Sequence, residues 1–153
     1  MRVFLVRHGQ ANPQGLTEQG KSQITLTGQF LATLSLDPLM TDMLSSETPR
    51  AVETARIIQQ ELGFSSLIMD NWLNVEHDPE DSFERLLNLV EDAMIEDDHD
   101  SIILVTHEPH IKEMLRRFAR IYRQELPHAL QVTNGSVFLV DTDNLFIKNM
   151  FVP

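Results

Sequence analysis

Three separated positions of the sequence carry residue types that bind and transform anions. Arg7 and His8 directly follow the first apolar run of the chain, and His107 closes its most apolar run. Arg50 comes shortly after a pair of serines, at the start of a candidate helix. Guanidinium groups bind dianionic phosphate through paired N–H donors, and helix N-termini add backbone N–H groups. These residue types predict an anion site, for which phosphate is the commonest ligand.

An alternation of strands and helices would position these residues. Ligands of an open α/β sheet bind outside the carboxyl ends of its strands, so parallel strands would bring both histidines to one edge. The pattern predicts an α/β fold, a three-layer α/β/α sandwich with a mostly parallel central sheet, formed by one domain over residues 1–153. Strands are predicted at 3–6, 43–45, 67–70, 101–108, 136–141 and 145–151, and helices within 16–34 (beginning at Thr17 and Glu18), at 49–62, at 79–97 and from Pro109 to about 122.

The composition excludes several classes of protein. The 153-residue chain has a formal net charge of −11, whereas a nucleic-acid-binding surface needs an excess of basic residues. A local pocket can still be positive on an acidic protein. No apolar stretch approaches the ~18 residues of a membrane span, and the first apolar run ends too early for a secretory signal. The sequence predicts a cytoplasmic protein with no nucleic-acid or membrane partner, and its oligomeric state stays open.

The segment 112–123, from Lys112 to Arg123, concentrates positive charge. Its sequence, KEMLRRFARIYR, contains five of the twelve Lys and Arg residues of the chain. A solvated helix face is the simpler interpretation of such a run, and a docking face for an acidic partner is the alternative.

Four segments together resemble the histidine phosphatase superfamily, which includes the cofactor-dependent phosphoglycerate mutases. They are LVRHGQA, LTEQGKSQ, SSETPRAVETA and VTHEPHI, and in this order they span about residues 2–112. The pattern H-x-P after the second histidine and the short chain look most like the small bacterial phosphohistidine phosphatase branch. The mutases are considerably longer, so the resemblance disfavours mutase activity.

The resemblance implies a phosphatase that forms a phosphohistidine. His8 would be the nucleophile, while Arg7, Arg50 and His107 would hold the phosphoryl oxygens and balance their charge. Neighbouring cations lower the pKa of an imidazole, which favours the neutral form that a nucleophile needs. The guanidinium groups would supply the positive charge, so no metal ion or other cofactor is expected.

The resemblance also implies a general acid and further substrate contacts. Glu76 best matches the position of the family's acid, with Asp78 and Glu80 as alternatives. A carboxylic acid in this role needs a raised pKa. Gly9, Gln14 and Glu108 are the candidate substrate-binding residues. The family usually has an asparagine a few residues after the R-H-G motif. Gln14 occupies that position here, and Asn12 lies near it. Glu108 stands where many relatives have glycine.

Other kinds of site and function compete with this interpretation. A metal could bind at HEPH (107–110) or EDDHD (96–100), but the first lacks the helical HExxH spacing and the second lacks a calcium-loop signature. A non-catalytic phosphate-binding regulatory protein could use the same fold, although the loss of a nucleophile or clamp residue would then be expected. For an enzyme, the sequence leaves the substrate open between a phosphorylated protein, carrying phosphohistidine, and a small phosphorylated metabolite.

Overall fold

The computed structural model describes residues 1–96, 99–126 and 130–153 of the chain. Its helices are α1 (Glu18–Ala32), α2 (Pro49–Leu62), α3 (Pro79–Glu96) and α4 (Glu108–Tyr122), with a 3₁₀ turn at Asn71–Leu73. Its strands are β1 (Arg2–Arg7), β2 (Ala11–Asn12), β3 (Gly15–Leu16), β4 (Thr41–Ser45), β5 (Ile68–Met69), β6 (Ser101–Thr106), β7 (Val137–Asp141) and β8 (Phe146–Phe151). Six strands form the main sheet in the order β5-β4-β6-β1-β7-β8, and β2 pairs with β3.

The main sheet is mostly parallel, as the sequence predicts. The pairings of β4 with β5, of β4 with β6 and of β1 with β6 are parallel, whereas β7 pairs antiparallel with β1 and β8. All residues of β6 are buried, which confirms it as a central strand covered on both faces. The carboxyl ends of β4, β6 and β1 therefore meet at one edge of the sheet.

Side chains of the sheet alternate between two hydrophobic cores, one on each face. On β1, Val3 and Leu5 pack into the core that α3 and α4 cover. Phe4 and Val6 pack into the core that α1 and α2 cover. Helices thus lie on both faces, in the predicted three-layer arrangement. Because these four strand residues are fully or almost fully buried, β1 is a rigid support for the residues that follow it.

Helix α1 begins where the sequence predicts, and it packs closely against the segment after β1. The Thr17 side chain accepts a hydrogen bond from the Gly20 backbone N–H and caps the helix. A Cβ on Gly20 would lie 2.0 Å from the carbonyl oxygen of Gln10, and a Cβ on Gly9 would lie 2.8 Å from that of Gly20. Both glycines are therefore required by this approach of two backbones.

The junction between β6 and α4 differs from the sequence prediction. The strand ends at Thr106 rather than at residue 108, and the helix begins at Glu108 rather than at Pro109. His107 lies between them in an extended conformation as the N-cap residue. Pro109 fits the first turn of the helix, where a backbone N–H has no intrahelical partner. The imidazole of His107 consequently leaves the sheet at its carboxyl edge.

A small hairpin of β2 and β3 lies between β1 and α1, in a segment with no predicted element. The side chain of Asn12 accepts hydrogen bonds from the backbone N–H groups of Gln14 and Gly15 and so stabilises the turn. The backbone N–H of Leu16 donates to the carboxylate of Glu53 on α2. Strands of two residues are too short to give a detectable hydrophobic period.

The C-terminal strands confirm the predicted hairpin. β7 and β8 pair antiparallel around the turn that begins at Thr142.

The predicted third helix agrees with α3 up to Glu96, and its last predicted residue, 97, lies outside the described residues. Within the described ranges, no helix combines the length and the apolar character that crossing a membrane requires.

Candidate active site

Three adjacent strand ends bring three of the predicted site residues together. His8 follows β1 and His107 follows β6, and their ring centroids lie 5.1 Å apart. Arg50, in the first turn of α2, contacts both imidazoles. Its Nε lies 3.2 Å from Nε2 of His8, and its Nη2 lies 3.3 Å from Nδ1 of His107. The arrangement concentrates two imidazoles and a guanidinium at the edge where an α/β sheet binds ligands.

Hydrogen bonds determine which nitrogen of His8 has a free lone pair. Nδ1 lies 2.8 Å from the carbonyl oxygen of Gly9, which can only accept, so Nδ1 carries the proton. Nε2 is then unprotonated, in agreement with the hydrogen bond that Arg50 donates to it. The Asn134 side-chain amide donates to the backbone oxygen of His8 at 3.1 Å. The ring is therefore held with its unprotonated nitrogen, Nε2, towards Arg50.

A buried polar network fixes the second imidazole. Since Arg50 donates to Nδ1 of His107, the other ring nitrogen, Nε2, carries the proton of the neutral ring. This Nε2–H donates to Oγ of Ser46 at 3.0 Å, and Ser46 donates in turn to Oδ1 of Asn74 at 2.8 Å. The side-chain amide of Asn74 donates to the carboxylate of Glu47. The orientation of His107 thus depends on residues from the loop after β4 and from the loop after the 3₁₀ turn.

Burial keeps both imidazoles neutral. Desolvation lowers the pKa of His8 to about 4, with further lowering from the charges of Arg50 and Arg7, although the Gly9 hydrogen bond opposes the shift. Desolvation, His8 and Arg50 lower the pKa of His107 to about 3. Because both pKa values are lower than in an unfolded chain, the unfolded state binds more protons below pH 6.5. The free energy of unfolding is therefore highest above pH 6.5 and decreases as the pH falls through about 4 for His8 and about 3 for His107. At neutral pH His8 retains its lone pair.

Arg7 is held at the rim of the site by backbone and carboxylate contacts. Its Nη1 donates to the carbonyl oxygen of Val132 and lies 3.4 Å from Oε2 of Glu108. Glu108 also pairs with Lys112, and this hydrogen bond, together with the charge of Arg7, lowers the pKa of its carboxyl. The buried Nε of Arg7 has no hydrogen-bond partner among the described residues. That N–H is a donor available to an anion.

Arg7, His8 and Arg50 line an open pocket of about 460 Å³, whereas His107, Glu108 and Glu76 are not among its lining residues. Four of the eight lining residues were not candidates in the sequence interpretation, namely Gln10, Ala11, Pro13 and Asn134, and the exposed Gln14 is not among the eight. The backbone N–H of Gly9 faces Oγ1 of Thr54 rather than the pocket. The lining residues are Arg7, His8, Gln10, Ala11, Asn12, Pro13, Arg50 and Asn134.

The three candidate acids occupy different environments. Glu76 is exposed in the loop before α3 and makes no hydrogen bond or ion pair within the part of the chain that the structure describes. Asp78 accepts a hydrogen bond from the backbone N–H of Glu80 at 2.8 Å, and Glu80 pairs with Arg117. Of the three carboxylates, that of Glu76 is the one without a hydrogen bond or ion pair to another described residue.

Neither of the two candidate metal segments brings three ligands together among the residues that the structure describes. His110 is fully buried, and its ring centroid lies 6.3 Å from that of His107. Among the described residues, no group of three or more His, Asp or Glu side chains is arranged to hold a metal ion. Residues 97 and 98 of the acidic candidate lie outside the described residues.

Comparison with known proteins identifies similar sequences and folds. Residues 3–77 match the model of the histidine phosphatase superfamily (branch 1), and a search of curated proteins returns no match. The protein histidine phosphatase SixA complexed with tungstate is 20% identical, with a TM-score of 0.76 over 99% of this chain and 95% of that chain. A SixA protein from Agrobacterium tumefaciens is 19% identical, with a TM-score of 0.70 over 99% and 98%. A mycobacterial glucosyl-3-phosphoglycerate phosphatase is 18% identical, with a TM-score of 0.68 over 92% and 90%.

Proposed function

Because the chain belongs to the histidine phosphatase superfamily and is a phosphatase, we propose that it hydrolyses its substrate through a phosphohistidine formed on His8. The observation that carries this proposal is the hydrogen bond from Nδ1 of His8 to Gly9. It leaves the Nε2 lone pair directed at Arg50, in a ring that burial keeps neutral. A neutral imidazole held next to anion-binding groups is suited to attack phosphorus.

The reaction has two balanced steps. Nε2 of His8 attacks the phosphorus atom, the N–P bond forms, and the bond to the leaving group breaks. The leaving group takes the bonding electron pair and a proton from the general acid, for which Glu76 is the candidate. Water then attacks the phosphohistidine and gives a proton back to that carboxylate, which releases inorganic phosphate and restores the neutral imidazole. The arrangement favours in-line attack because strand β1 and the Gly9 contact fix the ring.

Positive charge at the phosphoryl oxygens comes from the protein. Arg50 can exchange its contacts with the two imidazoles for contacts with a phosphate dianion, and Nε of Arg7 is a further donor. A dianion beside His107 raises the pKa of that imidazole, so a protonated Nδ1 would donate to an oxygen. These groups stabilise the transition state without a metal ion, and we propose that none is required.

A phosphorylated protein carrying phosphohistidine is the substrate class that we propose, in the cytoplasm. The pocket supports this choice because Gln10, Asn12 and Pro13 on its rim are exposed and a side chain on a macromolecule can approach. The similar fold of the protein histidine phosphatase SixA supports it as well. The similar fold of a glucosyl-3-phosphoglycerate phosphatase makes a small metabolite the alternative to be tested.

The activity test compares substrates in the presence of EDTA. The panel contains a histidine-phosphorylated protein, 4-nitrophenyl phosphate and phosphorylated sugars and glycerates, with phosphate release as the readout. We expect hydrolysis of the first two without added metal, and the highest kcat/KM for the phosphohistidine protein. Loss of all turnover in EDTA would contradict the metal-free mechanism. A preference for one metabolite would contradict the proposed substrate class.

Replacing Glu76 by glutamine tests the general acid. If Glu76 protonates the leaving group, its loss should lower the rate by about 10²–10⁴-fold for an alkyl phosphate. The rate for 4-nitrophenyl phosphate should change little, because nitrophenolate leaves without a proton. Glu80→Gln is the matched control, since Glu80 already pairs with Arg117. Equal losses on both substrates would exclude the role for Glu76, and a selective loss in Glu80→Gln would transfer it to that residue.

A further inference from the structure

Helix α4 carries a row of basic residues on one side. Lys112, Arg116 and Arg120 follow one another at four-residue spacing, which places them on one helix face, and Arg123 follows at the C-cap. These four residues are the basic row. At 1.5 Å per residue, the helix extends about 22 Å from its first residue to the end of the row.

The basic row begins at the rim of the pocket. Glu108, the first residue of α4, pairs both with Lys112 and with Arg7, which lines the pocket. Lys112 is thus separated from a phosphate-binding residue by a single carboxylate. From there the row leads away from the site along the helix. A macromolecule whose phosphoryl group enters the pocket would extend over this surface.

The outer part of the row has no acidic partner. Arg116, Arg120 and Arg123 are exposed, and no carboxylate of the described residues lies within 4.0 Å of them. Arg117 differs, because it pairs with carboxylates on both α3 and α4. Cations near a helix C-terminus stabilise the macrodipole, which accounts for the last two arginines but not for Arg116.

Charge complementarity indicates the occupant. The chain has a net charge of −11, so it repels acidic molecules except where positive charge is concentrated. We propose that the basic row is a docking surface for an acidic segment of the phosphorylated protein substrate. This inference rests on the proposed phosphatase activity. The acidic residues would lie within about seven extended residues of the phosphohistidine, since an extended chain covers about 3.3 Å per residue.

The test uses two phosphohistidine peptides of equal length. One carries glutamates at positions three to seven from the phosphohistidine, and the other carries glutamines there. At low salt, we expect the wild type to dephosphorylate the acidic peptide with about tenfold higher kcat/KM, because each exposed ion pair contributes about two- to fivefold. The triple variant Arg116→Gln/Arg120→Gln/Arg123→Gln should reduce this preference to about twofold or less. High salt should have the same effect on the wild type.

A second triple variant controls for the general loss of charge. Arg56, Arg85 and Lys148 are exposed cations on other elements, so replacing them by glutamine removes the same charge elsewhere. The preference for the acidic peptide should persist in this control. The single change Arg116→Gln should lower the preference about twofold, which tests the row with minimal perturbation. Thermal unfolding midpoints of all variants report whether the fold is retained.

Binding of the unphosphorylated acidic peptide separates this inference from the proposed activity. Fluorescence anisotropy should show weaker binding to the triple variant than to the wild type. If the wild type dephosphorylates neither phosphohistidine peptide but binds the acidic peptide through the basic row, the proposed activity fails and the docking surface stands. An undiminished preference in the triple variant would overturn the docking surface. Equal loss in both triple variants, or tighter binding to duplex DNA or phosphatidylglycerol vesicles, would overturn it too.

Discussion

Replacing His8 by alanine is expected to lower kcat/KM for 4-nitrophenyl phosphate by about 10⁴-fold or more. The variant loses the Nε2 lone pair that the contacts with Gly9 and Arg50 position. Water held in the remaining site would have to attack phosphorus directly, without the covalent intermediate. Initial rates of nitrophenolate release in EDTA measure the effect, and circular dichroism checks that the variant is folded.

Trapping the intermediate makes this test specific. Wild-type enzyme quenched during turnover of a ³²P-labelled substrate should carry label that is stable to base and labile to acid, as phosphohistidine is. His8→Ala should carry none. His99→Ala is the matched control, because His99 pairs with Asp42 at the opposite end of β4 and lies outside the pocket. Equal rates in wild type and His8→Ala, or equal labelling, would exclude His8 as the nucleophile.

The positions of Arg7, His8 and His107 could be predicted because they depend on local sequence. Each follows an apolar run, and such a run at the centre of a parallel sheet determines where the chain leaves the core. The parallel order of β4, β6 and β1 then requires the strand ends to be neighbours. Placement of these residues followed from strand pattern and fold class, whereas their roles rest on the family resemblance.

The residues that orient the two imidazoles were not predicted. Asn74 meets Ser46 across 28 positions of sequence, and Asn134 meets His8 across 126. Single asparagines in loops have no hydrophobic period, and nothing local indicates the partner to which their amides point. The segment TNG, just before β7, was a weak signal for Asn134. Only the three-dimensional arrangement identifies these contacts.

The hairpin after β1 illustrates a second limit. Its two strands have two residues each, and the side chain of Asn12 turns the chain between them. The structure places Asn12 at the pocket, while Gln14, which the family resemblance favoured, is exposed and outside the lining. A role for Gln14 in binding substrate remains a prediction. The spacing of a sequence motif does not show which of two residues, two positions apart in a tight turn, faces the pocket.

Replacing Arg50 by alanine is expected to lower kcat/KM by about 10²–10³-fold. Arg50 contacts both imidazoles. Its guanidinium is therefore next to the position that the phosphoryl oxygens would take when His8 attacks phosphorus. The loss should be similar for 4-nitrophenyl phosphate and for an alkyl phosphate, because the guanidinium acts on the phosphoryl group and not on the leaving group. This equality distinguishes Arg50 from a general acid. Inorganic phosphate should also inhibit the variant more weakly.

Arg50→Lys separates charge from geometry. Lysine keeps the positive charge but has no planar fork to contact two oxygens at once, so we expect it to recover less than a tenth of wild-type activity. Arg56→Ala is the matched control, since Arg56 lies on the same helix and is exposed. Full activity in Arg50→Lys would show that a point charge suffices. A comparable loss in Arg56→Ala would show that the effect arises from the general charge of α2 rather than from the guanidinium between the two histidines.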